Sequence, residues 1–255
     1  MRKISQVFIF CAGRGERMMP LTQSTPKPLL KINDQPILGH LIDKIAKITT
    51  IEKIIINAYY LAEEIINYTK SLQNPKIIIS REKEKIETGG GLFYALNKID
   101  LNSPLLTLNG DVLWRDEKDF ADMEYLFNNF DVNKHDFLLG LKKTNDFLGY
   151  DGSGDFNLNQ NGNLIRDFSS NNPCEYVYVG MQVLNPKYLL MQKQQQNLPQ
   201  CFSVSHFYKS AVDKNYLLSR IDGRELRGKY FHIGTPQNLE LAKNFFNTLS
   251  LHDEE

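Results

Sequence analysis

Residues 7–11, Val-Phe-Ile-Phe-Cys, form a short apolar run that stops at a turn. The chain continues as Gly13-Arg14-Gly15-Glu16-Arg17-Met18-Met19-Pro20, then Thr22 and Pro26-Lys27-Pro28-Leu29. An apolar run bounded by glycine reads as a buried strand, so the chain must leave this strand through a Gly-rich loop. Such a loop presents closely spaced backbone N–H groups, and glycine has no Cβ to keep an anion away from them. Arg17 and Lys27 add positive charge, and Pro26 and Pro28 restrict the backbone on both sides of Lys27. Two familiar loop types do not fit. A dinucleotide fingerprint requires a third small residue where Met18 stands, and a P-loop requires Gly-Lys-Ser/Thr after its glycines. Gly-x-Gly alone would read as an ordinary turn with incidental cations. The full spaced pattern argues for a polyphosphate cradle.

The rest of the first half alternates in the same manner. The spacing of Ile37, Leu41, Ile45 and Ile48 predicts a helix over 36–48, and that of Leu61, Ile65, Tyr68 and Leu72 predicts one over 61–72. Ile-rich runs predict strands at 53–57 and 76–80; a helix at 91–99 and a strand at 104–108 follow. Strand–helix alternation predicts a parallel sheet with helices on both faces and right-handed crossovers. Ligands of such sheets bind beyond the carboxyl ends of the strands, so the loops at Gly13, Asn57, Arg81 and Asn109 should share one rim. The second half is less regular. Strands are predicted at 136–141, 176–184, 217–221 and 230–233, with a hairpin of 155–158 and 164–168 about Asn161-Gly162. Thr235-Pro236 opens a last helix whose apolar stripe is Leu239, Ala242, Phe245 and Leu249. The Gln-rich stretch 192–196 reads as a solvated turn, and the polar tail 252–255 as frayed. No Pro/Gly-rich linker divides the chain, which reads as one domain, 1–255.

Composition narrows the classes. At 42% hydrophobic, 255 residues can bury a sizeable core. Lys plus Arg number 30 and Asp plus Glu number 30, so there is no basic excess of the kind that marks a nucleic-acid binder. No apolar run reaches the roughly 18 residues of a membrane span, and the N-terminus has the wrong shape for a signal peptide. Cys11, Cys174 and Cys201 are far apart and odd in number, which argues against a zinc site or disulfide framework and for a reducing cytoplasm.

The segment from Gly13 to Leu29 meets every fixed position of the pattern G-x-G-x-R-M-x-P-x-T-x-x-x-P-K-P-L, and thereby resembles the sugar-1-phosphate nucleotidyltransferases. Glu87-Thr88-Gly89-Gly90-Gly91, Leu108-Asn109-Gly110-Asp111-Val112, Gly154-Asp155-Phe156 and Gly234-Thr235-Pro236 extend the resemblance over nearly the whole chain. The ETGGG and NGDV blocks look most like bacterial N-acetylmuramate-1-phosphate uridylyltransferases of cell-wall recycling; mannose-1-phosphate guanylyltransferases are close neighbours. The C-terminal β-helix of some relatives would not fit in this length.

The resemblance implies an α/β, Rossmann-like three-layer sandwich with a mostly parallel mixed central sheet. It implies a nucleotide- and metal-binding half over 1–115 and a sugar-binding half over 116–250. Its substrates would be a nucleoside triphosphate and a sugar 1-phosphate, its products a nucleotide sugar and pyrophosphate. Cys11, Ala12, Gly13, Arg14, Gly15, Thr88, Gly89, Gly90 and Asn109 would hold the nucleotide, with Cys11 a small core residue rather than a nucleophile. Arg17, Lys27 and Asp111 would be catalytic, and Asp155 and Gly180 would face the sugar, although a hairpin position for Asp155 and a strand bulge at Gly180 fit as well. The cofactor would be Mg²⁺, held by Asp111. At residue 232 the relatives carry a second metal-binding aspartate, and this chain has His232. Imidazole is a poor ligand for Mg²⁺. Three outcomes are open: Asp111 holds the metal with water and phosphate alone, the site takes Mn²⁺, or the protein binds nucleotide with little turnover. His232 merely packing a strand end is the alternative. A binding protein of weak activity is therefore the rival from another class; a nicotinamide or flavin oxidoreductase is disfavoured by Met18.

Overall fold

The computed structural model describes residues 5–195, 198–212 and 217–250. Its centre is a seven-stranded sheet. We number its strands with two neighbours in chain order: β1 (Gln6–Phe10), β2 (Lys53–Ala58), β3 (Ile77–Arg81), β4 (Leu105–Asn109), β5 (Val112–Arg115), β6 (Phe137–Lys143), β7 (Tyr176–Leu184), β8 (Ile221–Glu225) and β9 (Lys229–His232). The order across the large sheet is β8-β6-β7-β4-β1-β2-β3. Strands β4, β1, β2 and β3 run parallel, β8 is parallel to β6, and β7 is antiparallel to both its neighbours. This is the mostly parallel mixed sheet that the resemblance implied; the alternation predicted a parallel sheet, from which antiparallel β7 departs. It runs unbroken through both halves of the chain.

Strand residues alternate between two cores, as a pleated sheet requires. Val7, Ile9, Ile54, Ile56, Leu106 and Leu108 face one. It is covered by α1 (Ile37–Ala46), α2 (Ala62–Ser71), α4 (Asp122–Asn129) and α7 (Pro236–Ser250) through Leu41, Ile65, Leu126 and Leu239. Phe8, Ile55, Leu105, Phe137 and Leu139 face the other, under α3 (Glu87–Tyr94), α5 (Pro186–Gln195) and α6 (Ser205–Ser210). Thr235 caps α7 as expected, its Oγ1 accepting the Asn238 N–H at 3.3 Å.

Several expectations are corrected. The helix expected at 91–99 begins at Glu87, so Thr88, Gly89 and Gly90 form its first turn rather than a loop. Helix propensity disfavours such a start, since each glycine costs about 1 kcal/mol relative to alanine. Packing overrides it: an added Cβ would lie 2.3 Å from the Phe202 ring at Gly89 and 2.4 Å from the Gln200 carbonyl at Gly90. The solvated turn expected at 192–196 is helical as far as Gln195, with Gln192 buried. The strand expected at 217–221 starts at Ile221, preceded only by isolated bridges at Leu217 and Leu218. The hairpin about Asn161-Gly162 is present but short, Asn157–Leu158 against Leu164–Ile165. Gln196, the Leu249 side chain and the tail 252–255 lie outside the described residues.

A second, three-stranded sheet, unforeseen from the sequence, decides where the site is completed. In it β9 pairs antiparallel with β5 and parallel with Phe147–Leu148. Trp114 stacks on Tyr230 across this pairing, and Asp122 accepts hydrogen bonds from the Arg227 and Gly228 amides and the Tyr230 hydroxyl. The pairing returns the chain to Asp111, whose carbonyl accepts the Ile233 N–H at 2.9 Å. One residue of the second half, His232, thus stands beside the first-half rim.

Candidate active site

A cleft of about 510 Å³ opens beyond the carboxyl ends of β1 to β4. Its lining includes Cys11, Ala12, Gly13, Gly15, Lys27, Asn57, Glu82, Thr88, Asn109 and Asp111. The expected rim is therefore real, with Glu82 on it rather than its neighbour Arg81. Arg81 is turned outward and ion-paired with Glu63 at 2.7 Å.

The first loop is held from below. Gly15 lies in the left-handed region at φ 62°, where a Cβ would be strained. Its carbonyl accepts the Met18 N–H at 2.9 Å and the hydroxyl of buried Thr22 at 2.8 Å. Met18, the residue that excluded a dinucleotide loop, is wholly buried. The Cys11 N–H donates to Asn57 Oδ1 at 2.7 Å. Among the described residues, the amides of Gly13, Arg14 and Gly15 have no intramolecular acceptor. Nothing stands within 4 Å of where a Gly13 Cβ would be. The loop therefore offers N–H groups to an anion over open space. Arg14 and Arg17 are exposed at its mouth, Arg17 3.8 Å from Asp151 and Arg14 5.4 Å above the Tyr60 ring. The Cys11 thiol is buried, and burial, with Asp111 nearby, pushes its pKa far up, so it packs as a small core residue.

Lys27 opens a short 3-10 turn, Lys27–Leu29, after the extended Pro26. Its ammonium donates to Asp111 Oδ2 at 2.6 Å. The Lys27 side chain is 11% exposed and that of Asp111 27%. Burial pushes the Asp111 carboxyl up, but the Lys27 ammonium and the His232 ring outweigh it and hold it below its ordinary value. Gly110 lets Asp111 sit this close to the loop, since a Cβ there would lie 2.6 Å from the Phe10 carbonyl.

His232 is the last residue of β9, its Nε2 3.9 Å from Asp111 Oδ2. Its ring lies among Phe147 and Tyr150, at 5.9 and 6.4 Å between centroids. Burial pushes its pKa down, and Lys27 and Arg17 add to that against the pull of Asp111. Burial thus favours the neutral imidazole. Among the described residues no group of three or more His, Cys, Asp and Glu side chains gathers as a metal centre. Asp111 alone fits a Mg²⁺ ion that takes its other oxygens from water and phosphate. His232 fits less well. Its Nδ1 is buried without a hydrogen bond of good geometry, its one backbone anchor being a weak contact with Gly149, whereas ligating histidines normally hold their second nitrogen firmly.

The remaining expected residues divide. Thr88 lines the cleft, its Oγ1 accepting the Val204 N–H at 2.9 Å. Gly89 and Gly90 do not line it; both amides donate to the Phe202 carbonyl, at 2.9 and 3.1 Å. Gly180 has φ 79° within a register shift of β7, and what approaches it is the Asn109 side chain, 2.8 Å from a would-be Cβ. The bulge reading is therefore met, and the close neighbour is a side chain of this protein. Asp155 stands beyond this point, half-buried, with Oδ2 accepting the Tyr178 N–H at 2.9 Å; desolvation raises its pKa.

Sequence reasoning missed Glu82. It is 5% exposed, and Asn57 Nδ2 donates to its Oε1 at 2.7 Å. Burial outweighs that hydrogen bond and pushes its pKa up to about 7. Asn57 thus ties the first loop to an acid that keeps about half its protons at pH 7. The one available signal was a polar residue closing an Ile-rich strand.

Residues 6–231 match the nucleotidyl transferase family. The chain belongs to that family, the sugar-1-phosphate nucleotidyltransferases. An N-acetylmuramate alpha-1-phosphate uridylyltransferase of Caulobacter vibrioides is 28% identical over 90% of this chain and 91% of its own. A D-glycero-alpha-D-manno-heptose 1-phosphate guanylyltransferase of Campylobacter jejuni is 27% identical over 91% and 96%. A bifunctional protein GlmU of Methanococcus maripaludis is 40% identical, but over 44% of this chain and 26% of its own length. Among solved structures, HddC of Yersinia pseudotuberculosis complexed with GMP-PN superposes with a TM-score of 0.73 over 95% of this chain and all of that one, at 20% identity. That likeness establishes the fold. No helix among the described residues is long and apolar enough to cross a membrane.

Proposed function

We propose that this protein transfers a uridylyl group from UTP to N-acetylmuramate 1-phosphate and releases pyrophosphate. The observation that carries the chemistry is the Lys27–Asp111 pair, 2.6 Å apart at the foot of a loop with unsatisfied amides. In the free protein the two charges neutralise each other. A bound triphosphate gives each a different partner: the ammonium goes to the α-phosphate, and the carboxylate is left for Mg²⁺. The acceptor phosphate oxygen attacks the α-phosphorus in line, and pyrophosphate leaves. No protein nucleophile is required, because positioning and charge neutralisation supply the catalysis. Gly13, Arg14 and Gly15 cradle the phosphate chain, Cys11 and Ala12 continue its floor, and Arg17 steadies the pyrophosphate. Asp111 would hold the metal, which supplies positive charge to the phosphate oxygens; His232 would join it more readily for Mn²⁺. Asn109, Asp155 and Gly180 border the acceptor.

The Caulobacter relative supports uracil and N-acetylmuramate, and Glu82 supports uracil independently. A protonated carboxyl is both donor and acceptor, matching the O4 and N3–H of uracil. The N1–H and amino group of guanine would call for an acceptor-only carboxylate. A guanylyltransferase reading is favoured by the Campylobacter relative. The deciding experiment measures pyrophosphate release for UTP, GTP, dTTP and CTP against N-acetylmuramate, mannose and glucose 1-phosphates, with Mg²⁺ and Mn²⁺. Highest kcat/KM for UTP with N-acetylmuramate 1-phosphate is expected. Preference for GTP with mannose 1-phosphate overturns the reading, and nucleotide binding without turnover favours the weakly active binder.

A further inference from the structure

Next to Asp155 lies a part of the second half that no step above uses. Arg166 directly follows the short strand Leu164–Ile165. Its guanidinium lies half-buried, with one end against the Cys174 sulfur and its carbon 5.8 Å from the centre of the Phe168 ring. Its Nε is buried with no hydrogen-bond partner. Arg166 appears in none of the ion pairs of 4.0 Å or less among the described residues. Asp155 and Asp167 are within electrostatic reach, but neither comes close enough to form an ion pair with it. A guanidinium withdrawn from water without a paired anion is unfavourable. An anion from outside the chain would give the buried Nε the partner it lacks.

A series of neighbours places Arg166 relative to the reacting centre. Asp111 stands 3.9 Å from His232, whose ring lies 6.4 Å from that of Tyr150. The Tyr150 hydroxyl in turn feels Asp155 and Arg166. Arg166 touches Cys174, whose carbonyl abuts Gly154, and the adjacent Asp155 accepts the Tyr178 N–H two residues before Gly180, which abuts the cleft residue Asn109. Arg166 therefore lies on the side of Asp155 and Gly180, where the acceptor reading puts the sugar. Lys27, Arg17 and the loop amides already face the phosphates. The anion left for Arg166 is one carried elsewhere on the sugar. Arginine suits a carboxylate in particular, since its planar fork matches the two oxygens.

We propose that Arg166 is a specificity-determining residue that binds a carboxylate on the acceptor sugar, selecting sugar 1-phosphates with an acidic substituent over neutral ones. This rests on the acceptor reading above, because the ether substituent of N-acetylmuramate 1-phosphate ends in a carboxylate. Asp155 is the positioning partner: its carboxyl lies within electrostatic reach of the guanidinium and is itself anchored by the Tyr178 N–H.

The test compares N-acetylmuramate 1-phosphate with its methyl ester, which keeps the shape and removes the charge. Wild type should prefer the acid by about 10- to 100-fold in kcat/KM, mostly through KM. In Arg166→Gln that ratio should fall to near one, and Arg166→Lys should keep part of it. The ratio is read within one preparation, so loss of folded protein cancels, and a melting curve of each variant accompanies it. An unchanged ratio in Arg166→Gln, including an equal loss on both acceptors, overturns the proposal and makes Arg166 structural. If wild type rejects N-acetylmuramate 1-phosphate altogether, the acceptor reading fails by itself. The same ratio is then read with glucuronic acid 1-phosphate against glucose 1-phosphate. Preference for the acid that Arg166→Gln abolishes sustains the proposal, and preference for the neutral sugar overturns it.

Discussion

Replacing Glu82 by glutamine isolates one buried charge. Gln keeps the volume and keeps an oxygen to accept the Asn57 amide, so packing and the tie to the Cys11 N–H survive. What disappears is the titration. The folded protein holds the Glu82 proton up to about pH 7, whereas the unfolded chain releases it near the ordinary value of 4.5. Stability due to the neutral acid is therefore fully present below pH 4.5 and is lost as pH rises through about 7. The gap between those values corresponds to about 3 kcal/mol. Urea unfolding in steps from pH 5 to pH 8 should show Glu82→Gln gaining on wild type across that window. By pH 8 the gain should approach the full difference, or about 6–12 °C in melting temperature. Parallel stability curves would refute the reasoning, because Glu82 would then titrate as an ordinary carboxylate in both states.

Four further outcomes follow from the same geometry. Lys27→Ala and Asp111→Asn should each lower kcat by roughly 100-fold or more; near-normal rates in both, by steady-state pyrophosphate release, would remove them from the chemistry. Gly15→Ala forces a Cβ into the left-handed region 3.1 Å from the Lys27 Cβ, so it should cost about 1–2 kcal/mol on unfolding and raise the KM for nucleotide. Gly89→Ala should destabilise the fold by about 1–3 kcal/mol through Phe202, with nucleotide affinity of the folded fraction, measured by calorimetry, little changed. His232→Asp should raise the ratio of Mg²⁺- to Mn²⁺-supported rates, since a nitrogen ligand is replaced by oxygen; an unchanged ratio would confine His232 to packing.

What could be read in advance depended on spacing. Lys27 was legible because Pro26, Pro28 and the glycines before it fix a pattern, and Asp111 because a strand runs into Asn109-Gly110. Glu82 and Arg166 carry no such frame. Each is one charged residue next to a strand end, and only tertiary burial distinguishes it from a solvated side chain. The start of α3 was misplaced because glycine propensity describes an isolated helix, and the closeness of Phe202 and Gln200 decided otherwise. Strand β5 was overlooked because Val112–Arg115 follows a turn and is short; its partner β9 lies far along the chain, and no local periodicity reports a pairing of that range.

The route by which His232 reaches Asp111 has a bearing on biosynthesis. A ribosome delivers the loop, Lys27 and Asp111 early, yet the strand that ends in His232 emerges only after all of β6, β7 and β8. Until then β5 has no antiparallel partner, and the Asp111 carbonyl lacks the Ile233 amide it accepts in the finished fold. A nascent chain therefore carries its Gly-rich loop long before the second sheet can form. That pairing comes late, when the chain doubles back to where it began.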